Sequence, residues 1–190
     1  MSDYRIHTID SAPADSAAAL RALKDALGFV PNLAATMAES PALVGGFVDL
    51  RRTLAAGELT GVEREIVALA VSLENGCDYC MAAHSTFALM QAADADAVAA
   101  ARSGDAPDDP RLGALYRFAR RLVITKGHVA DEDSRALLAA GYSRRALFDV
   151  VAQVGHTTLA NLAHSISGAP LDEAFEPQAW RMMPVGGDQA

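Results

Sequence analysis

The chain has 190 residues, a length that suits one domain or a small domain with extensions. Apolar residues make up 51% and aromatics only 6%, with alanine abundant, so the composition is that of a helix-rich globular protein with an Ala, Leu and Val core, not a disordered one. The formal net charge of −8 argues against a nucleic-acid or anionic-membrane surface, and two cysteines without a disulfide framework suggest a reducing, cytoplasmic compartment.

Residues 1–14 lack a basic start followed by an apolar core, so no signal peptide is expected, and they read as an extended arm. No apolar run approaches the roughly 20 residues that cross a bilayer. Asp15 or Ser16 caps a first helix over 15–27, with Leu20, Leu23 and Leu27 as its apolar positions and Gly28 as its stop. Val30-Pro31 is a turn, because the residue before proline disfavours the helical region. A short helix over 32–38 leads to Ser40-Pro41, an N-cap with proline at the first helical position. The helix it opens, 41–56, places Leu43, Val44, Phe47, Leu50 and Leu54 at helical spacing, with Arg51 and Arg52 on its solvated side.

Thr60 and Glu63 have the spacing of a capping box, and the helix 60–75 behind them has a broad apolar face of Val62, Ile66, Val67, Leu69, Ala70 and Leu73. Asn75-Gly76 stops it, since glycine readily takes the left-handed C′ conformation. A second helix, 77–92, starts at Cys77 or Asp78. Cys77 is then near its N-cap and Cys80 in its first turn, where the helix dipole and unpaired N–H groups favour a thiolate. His84 follows Cys80 by one turn, so Cys77, Cys80 and His84 share a face. Glu65 lies about eleven residues before the Gly76 elbow and His84 about eight after it. At a rise of about 1.5 Å per residue, an antiparallel hairpin puts them at similar depth. A carboxylate beside an imidazole orients it and raises its basicity, and a base near a cysteine takes the thiol proton. Three other readings stay open: a zinc site of Cys77, Cys80, His84 and Glu65; two small core cysteines; and Glu65 as a solvated helix residue beside Arg64.

An Ala-rich helix over 94–102 precedes a Gly/Pro/Asp loop at 103–110. Leu112, Leu115, Tyr116, Phe118, Ala119, Leu122 and Val123 then mark a helix over 110–125, ended by Gly127, with His128 in the following loop. Asp131 or Asp133 caps a short helix through Ala140. Ser143 caps the last, 144–167, whose Leu147, Val151, Val154, Thr158, Leu162 and Ile166 form one stripe. Gln153, His156, Asn161 and His164 occupy its other faces, and His156 and Asn161 are candidates for the site, the core or a subunit contact. Residues 168–190, with three prolines and a Gly-Gly pair, read as an extended tail that Trp180 anchors to the body or a neighbour. Strand patterns, phosphate loops, dinucleotide fingerprints and serine elbows are absent from the sequence. The fold class is all-α.

The pattern Glu65-x11-Cys77-x2-Cys80-x3-His84 on a helix–elbow–helix resembles the alkylhydroperoxidase AhpD and carboxymuconolactone decarboxylase superfamily. Gly28 to Leu33, Ser40 to Leu43, and Asp131 through Gly141-Tyr142-Ser143 to Asn161 are similar to its peroxidase-related branch, so the likeness spans roughly residues 20–175. The resemblance implies one AhpD-like helical domain over 15–167 and assembly into a trimer, hexamer or dimer. It implies a thiol-dependent hydroperoxide reductase without metal or organic cofactor. Cys80 would attack the peroxide, Cys77 would resolve the sulfenic acid, Glu65 and His84 would relay protons, and an external dithiol or protein reductant would restore the thiols. Tyr79 stands where the characterised AhpD pattern has a second histidine, and is a candidate substrate contact. Carboxymuconolactone decarboxylases proper lack the redox pair. Two alternative functions remain open: a thiol–disulfide exchange, redox-sensing or metal-binding oligomer, and a non-redox enzyme using His84 and Glu65 on a small cyclic acid.

Overall fold

The computed structural model describes residues 4–182, and the Gly186-Gly187 pair of the expected tail lies outside them. The described residues form nine α-helices and one 3-10 helix: α1 Ala14–Leu27, α2 Asn32–Met37, α3 Pro41–Ala55, α4 Gly61–Glu74, α5 Asp78–Met90, α6 Ala95–Ser103, α7 Pro110–Ile124, α8 Asp131–Ala139, α9 Arg144–Ser167 and the 3-10 helix Glu173–Gln178. No strand occurs among them, and none of their helices is long and apolar enough to cross a membrane.

Capping chemistry sets most boundaries. Ser40, Thr60, Asp109 and Ser143 each accept a hydrogen bond from the N–H three residues on. Glu63 closes the Thr60 box by accepting from the Thr60 N–H at 2.8 Å. Two caps differ from expectation. At α1, Ser16 is buried and its hydroxyl donates to the Ala38 carbonyl at 2.7 Å, so it ties α1 to the end of α2 and Pro13 precedes the helix instead. At α8, Asp131 is already helical and Asp133 accepts from the Ala130 N–H at 3.2 Å, so the carboxylate reaches back rather than forward.

The centre of the fold is α4. Ile66 through Ser72 are all buried, because α5, α6, α7 and α9 cover it from several sides. A helix enclosed in this way has to be apolar nearly all round, and this one is. One core cluster joins α4 to α7, α8 and α9 through Leu69, Leu115, Tyr116, Leu137 and Val150. A second gathers Leu20, Leu33, Val44, Cys77, Cys80 and Phe175 about the elbow. Glu63 is buried between Arg111 Nε at 2.9 Å and the Tyr142 hydroxyl at 2.8 Å. Burial alone would raise its pKa, but the hydrogen bonds from Thr60, Tyr142 and Arg111 outweigh it and hold the carboxyl below its ordinary value.

The terminal segments are docked on the body. In the arm, the His7 N–H donates to the Ala35 carbonyl and the imidazole pairs with Glu39 at 2.8 Å. After Gly168, the described part of the tail is not simply extended: the 3-10 helix packs on α5 and buries Phe175. Arg102 donates to the Gln178 and Ala179 carbonyls, and the Trp180 indole N–H donates to the Arg102 carbonyl. On α9 the apolar stripe of the sequence divides: Leu147 and Val154 pack half-buried against the core and its other apolar members turn outward. Val151, Leu162 and Ile166 are exposed together with Phe148 and Leu159, while Gln153, His156, Thr157 and Asn161 point inward. Small residues, Ala146 and Ala160, share that inner face, which brings its polar groups close to the hairpin.

Candidate active site

The elbow between α4 and α5 forms as its residues dictate. Gly76 takes φ +64, the left-handed value that glycine holds without a Cβ penalty. Its N–H and that of Cys77 return to the Leu73 and Ser72 carbonyls and close the end of α4. Cys77 is the N-cap of α5, and its sulfur accepts from the Cys80 N–H at 3.3 Å. Both cysteines are reduced and buried.

The surroundings of the two sulfurs push their thiols in opposite directions. The neighbouring Cys80 thiol does most to lower the Cys77 thiol to about 5, against the cost of burial and with help from His164. Contact with Cys77, together with burial, pushes Cys80 well up. The thiolate form is therefore favoured at Cys77, the N-cap of α5, chiefly by the neighbouring Cys80 thiol.

Glu65 and His84 meet. His84 Nδ1 lies 2.7 Å from Glu65 Oε2, and because an ionised carboxylate only accepts, Nδ1–H is the donor. Gln91 Nε2 donates to the other oxygen, Oε1, at 3.3 Å. Glu65 is thus a paired group inside the hairpin, not a solvated helix residue.

The pair and Cys80 line one cavity of about 830 Å³ between α1, α3, α4, α5 and α9. Its walls include Leu23, Met37, Phe47, Phe87 and Phe175, with Arg51, Arg52 and Arg64 among the polar lining. His156 also lines it, stacked on Phe47 with ring centroids 4.2 Å apart, and neither of its ring nitrogens has a partner. Burial, with the nearby His84 and Arg51, pushes its imidazole down to about 3, so it is neutral.

Tyr79 borders the same cavity, but its hydroxyl is committed elsewhere. It donates to Asp172 Oδ2 at 2.5 Å and accepts from the Leu33 N–H at 3.3 Å. Asp172 also accepts from the Asn32 N–H at 3.1 Å. Burial and the neighbouring carboxylate push the Tyr79 phenol far up, so it stays a neutral donor. Its hydroxyl links hairpin, α2 and tail, and its ring faces the cavity.

Cys77 opens on a different space, a recess of about 450 Å³ lined by Asn75, Asp78, Asn161, His164 and Arg181. Asn161 is fixed there, accepting from Asn75 Nδ2 at 2.8 Å and donating to the Ser72 hydroxyl at 3.4 Å. Asp172 and His164 carry no short-range signal in the sequence that would attach them to the elbow. Among the described residues, no three His, Cys, Asp or Glu side chains converge as a metal-binding set.

A sequence model of the Carboxymuconolactone decarboxylase family matches residues 41–121, which span α3 through most of α7 and include the whole hairpin. No curated protein sequence matches. Among solved structures, a peroxidase-related protein with an alkylhydroperoxidase AhpD core from Ralstonia eutropha JMP134 is similar, with a TM-score of 0.80 and 26% identity over 92% of this chain and 94% of that one. A peroxidase-related protein from Silicibacter sp. TM1040 has a TM-score of 0.77 and 21% identity over 91% and 92%. The debrominase Bmp8, as a variant in complex with 2,3,4-tribromopyrrole, has a TM-score of 0.73 and 22% identity over 85% and 87%. The last two likenesses concern the fold alone.

Proposed function

Because the chain belongs to the AhpD-like and carboxymuconolactone decarboxylase superfamily, we propose that it is a thiol-dependent reductase of organic hydroperoxides. The observation that carries this reading is the 2.7 Å Glu65–His84 pair lining the same cavity as the Cys80 thiol. It puts an acid–base group and a nucleophile on one substrate-sized space.

In this reading a hydroperoxide enters the apolar cavity with its O–O group toward Cys80. The Cys80 proton passes to the Cys77 thiolate it already contacts. The Cys80 sulfur attacks the terminal peroxide oxygen, the O–O bond breaks, and the alkoxide leaves with the bonding pair. His84, aligned by Glu65 through Nδ1, supplies the proton that makes it an alcohol. Cys80 is now a sulfenic acid. Cys77 gives up its proton and attacks the Cys80 sulfur, water departs, and a Cys77–Cys80 disulfide results. An external dithiol then returns both thiols and carries away the oxidation as its own disulfide. The apolar, aromatic walls favour an organic hydroperoxide over hydrogen peroxide.

The test is turnover of cumene hydroperoxide with dithiothreitol. Wild type should turn over, Cys80→Ser should be inert, and Cys77→Ser should stall after one oxidation. Glu65→Gln should lower kcat by about 10- to 100-fold, within the range that positioned acid–base groups supply. Equal rates for wild type and Cys80→Ser would sink the proposal.

A second reading follows from the aromatic rings around the cavity and from the brominated pyrrole bound by one fold neighbour. The same dithiol could replace bromine on an aromatic ring by hydrogen, releasing bromide and ending as a disulfide. Bromide release from a bromopyrrole, with no hydroperoxide turnover, would select it.

A further inference from the structure

We propose that the recess around Cys77 is a separate port, through which the external dithiol reaches the Cys77–Cys80 disulfide, and that His164 is the acid–base group serving Cys77 there. The inference rests on the dithiol redox reading above and adds to it a place and a residue for the reductive half-reaction.

The two sulfurs do not share a mouth. Cys80 borders the apolar cavity and Cys77 borders the polar recess, and neither cysteine lines both. A thiol or disulfide sulfur has to be approached along its own open side. An oxidant in the large cavity therefore meets Cys80, and a reductant in the recess meets Cys77. Tyr79, stacked on His164 with centroids 5.3 Å apart, stands with the fixed Asn161 amide between the two spaces. The chemistry of the walls differs in the same sense. Leu23, Met37, Phe47 and Phe87 suit an organic substituent, whereas Asn75, Asp78, Asn161 and Arg181 suit a hydrated thiol carrier.

The geometry of His164 fits the role. Its Nε2–H donates to the Ala169 carbonyl at 3.2 Å, which leaves Nδ1 as the basic nitrogen. Nδ1 faces the N-terminus of α5, 3.7 Å from Asp78 Oδ1 and beside the Cys77 sulfur. His84 is arranged the other way round, with Nδ1 bonded to Glu65. Two imidazoles anchored through opposite ring nitrogens thus serve two sulfurs. The charged and titratable groups about Cys77 are Cys80 and Asp78 on its own helix, His164 from α9 and Arg181 from the tail. Among the histidine's surroundings, the Cys77 contact does most to raise the His164 pKa, against the cost of burial. That is the sign expected of an imidazolium–thiolate pair.

The reaction balances. A reductant thiolate attacks the Cys77 sulfur, the Cys77–Cys80 bond breaks, and Cys80 leaves with the electron pair and takes a proton. The mixed disulfide on Cys77 is then cleaved by the reductant's second thiol, whose proton passes to His164. Cys77 departs as a thiolate beside the imidazolium, and the reductant leaves as a cyclic disulfide.

The test starts from protein oxidised to the disulfide with diamide, so that no peroxide is involved. A single addition of a monothiol, followed by acid quench and peptide mass spectrometry, should place the adduct on Cys77; an adduct on Cys80 overturns the port. Rapid-quench rates of disulfide reduction by dithiothreitol and of thiol oxidation by cumene hydroperoxide are then compared for wild type and His164→Gln. The ratio of reduction to oxidation should fall at least tenfold in the variant, and the pH midpoint of Cys77 alkylation should move up by about one unit. Equal slowing of both half-reactions, with an unmoved alkylation midpoint, would show a merely structural histidine and overturn the assignment. If peroxide fails to oxidise the wild-type thiols, the hydroperoxide reading falls, while the adduct position and the alkylation midpoint still decide the port.

Discussion

At the level of single residues, the two cysteines are made unlike by what touches them. Cys77 accepts a hydrogen bond from the Cys80 N–H and lies beside the Cys80 thiol and His164. Cys80 keeps its proton and lies deeper. Iodoacetamide should therefore alkylate Cys77 first, with reactivity rising as pH passes through about 5, far below the ordinary thiol value of 9.0. Equal labelling of both cysteines, with a midpoint near the ordinary value, would contradict this. Tyr79→Phe removes the donor to the buried Asp172 and should cost about 1–3 kcal/mol in urea unfolding, while leaving alkylation of Cys77 largely unchanged. All five site residues assigned from sequence lie within one hairpin, and their grouping is legible because one elbow and one helical repeat relate them. The Tyr79 hydroxyl was not legible in that way. Its partner is 93 residues away, and no local period reports a contact of that separation.

Helix elements were legible where side chains cap them. Thr60 with Glu63, Ser40 with Pro41, and Ser143 all open helices at the expected place, because each cap is a short-range hydrogen bond written within four residues. Thr60→Ala should lower stability by about 1 kcal/mol, measured as a shift in the urea midpoint. The face presented by α9 was not legible. Helical period shows that Leu162 and Ile166 share a side with Val151, but not whether that side turns in, and here the cavities claim the polar side instead. The elbow constrains its residue in backbone conformation. Gly76 has φ +64, and a Cβ there would lie 2.9 Å from Met182 Cε. Gly76→Ala should cost about 1–2 kcal/mol from the left-handed backbone alone, and it should disturb the end of the tail over the recess.

At the scale of the whole molecule, an apolar stripe on α9 stands exposed among the described residues. Phe148, Val151, Leu159, Leu162 and Ile166 run along the outside of α9, with Phe148 72% and Ile166 66% exposed. Contiguous apolar patches of this kind mark interaction surfaces. Self-association through α9 is therefore expected, and Phe148→Glu or Leu162→Glu should shift the sedimentation coefficient toward that of a monomer. A wild-type protein that sediments as a monomer at micromolar concentration would rule it out. The net charge of −8 keeps the remaining surface from adding nonspecific contacts to this face.

The bond from Tyr79 to Asp172 also has a timetable. Asp172 follows Tyr79 by 93 residues, and chains are made at about 5–20 residues per second. For about 5–20 s of synthesis, then, Cys77 and Cys80 exist without Asp172, Phe175 or Arg181 around them. During that interval the dithiol lacks the cover that the tail supplies, and the earlier helices, with Leu20, Leu33 and Val44, are there to pack against it. Its selectivity begins only when the last described residues close over the hairpin.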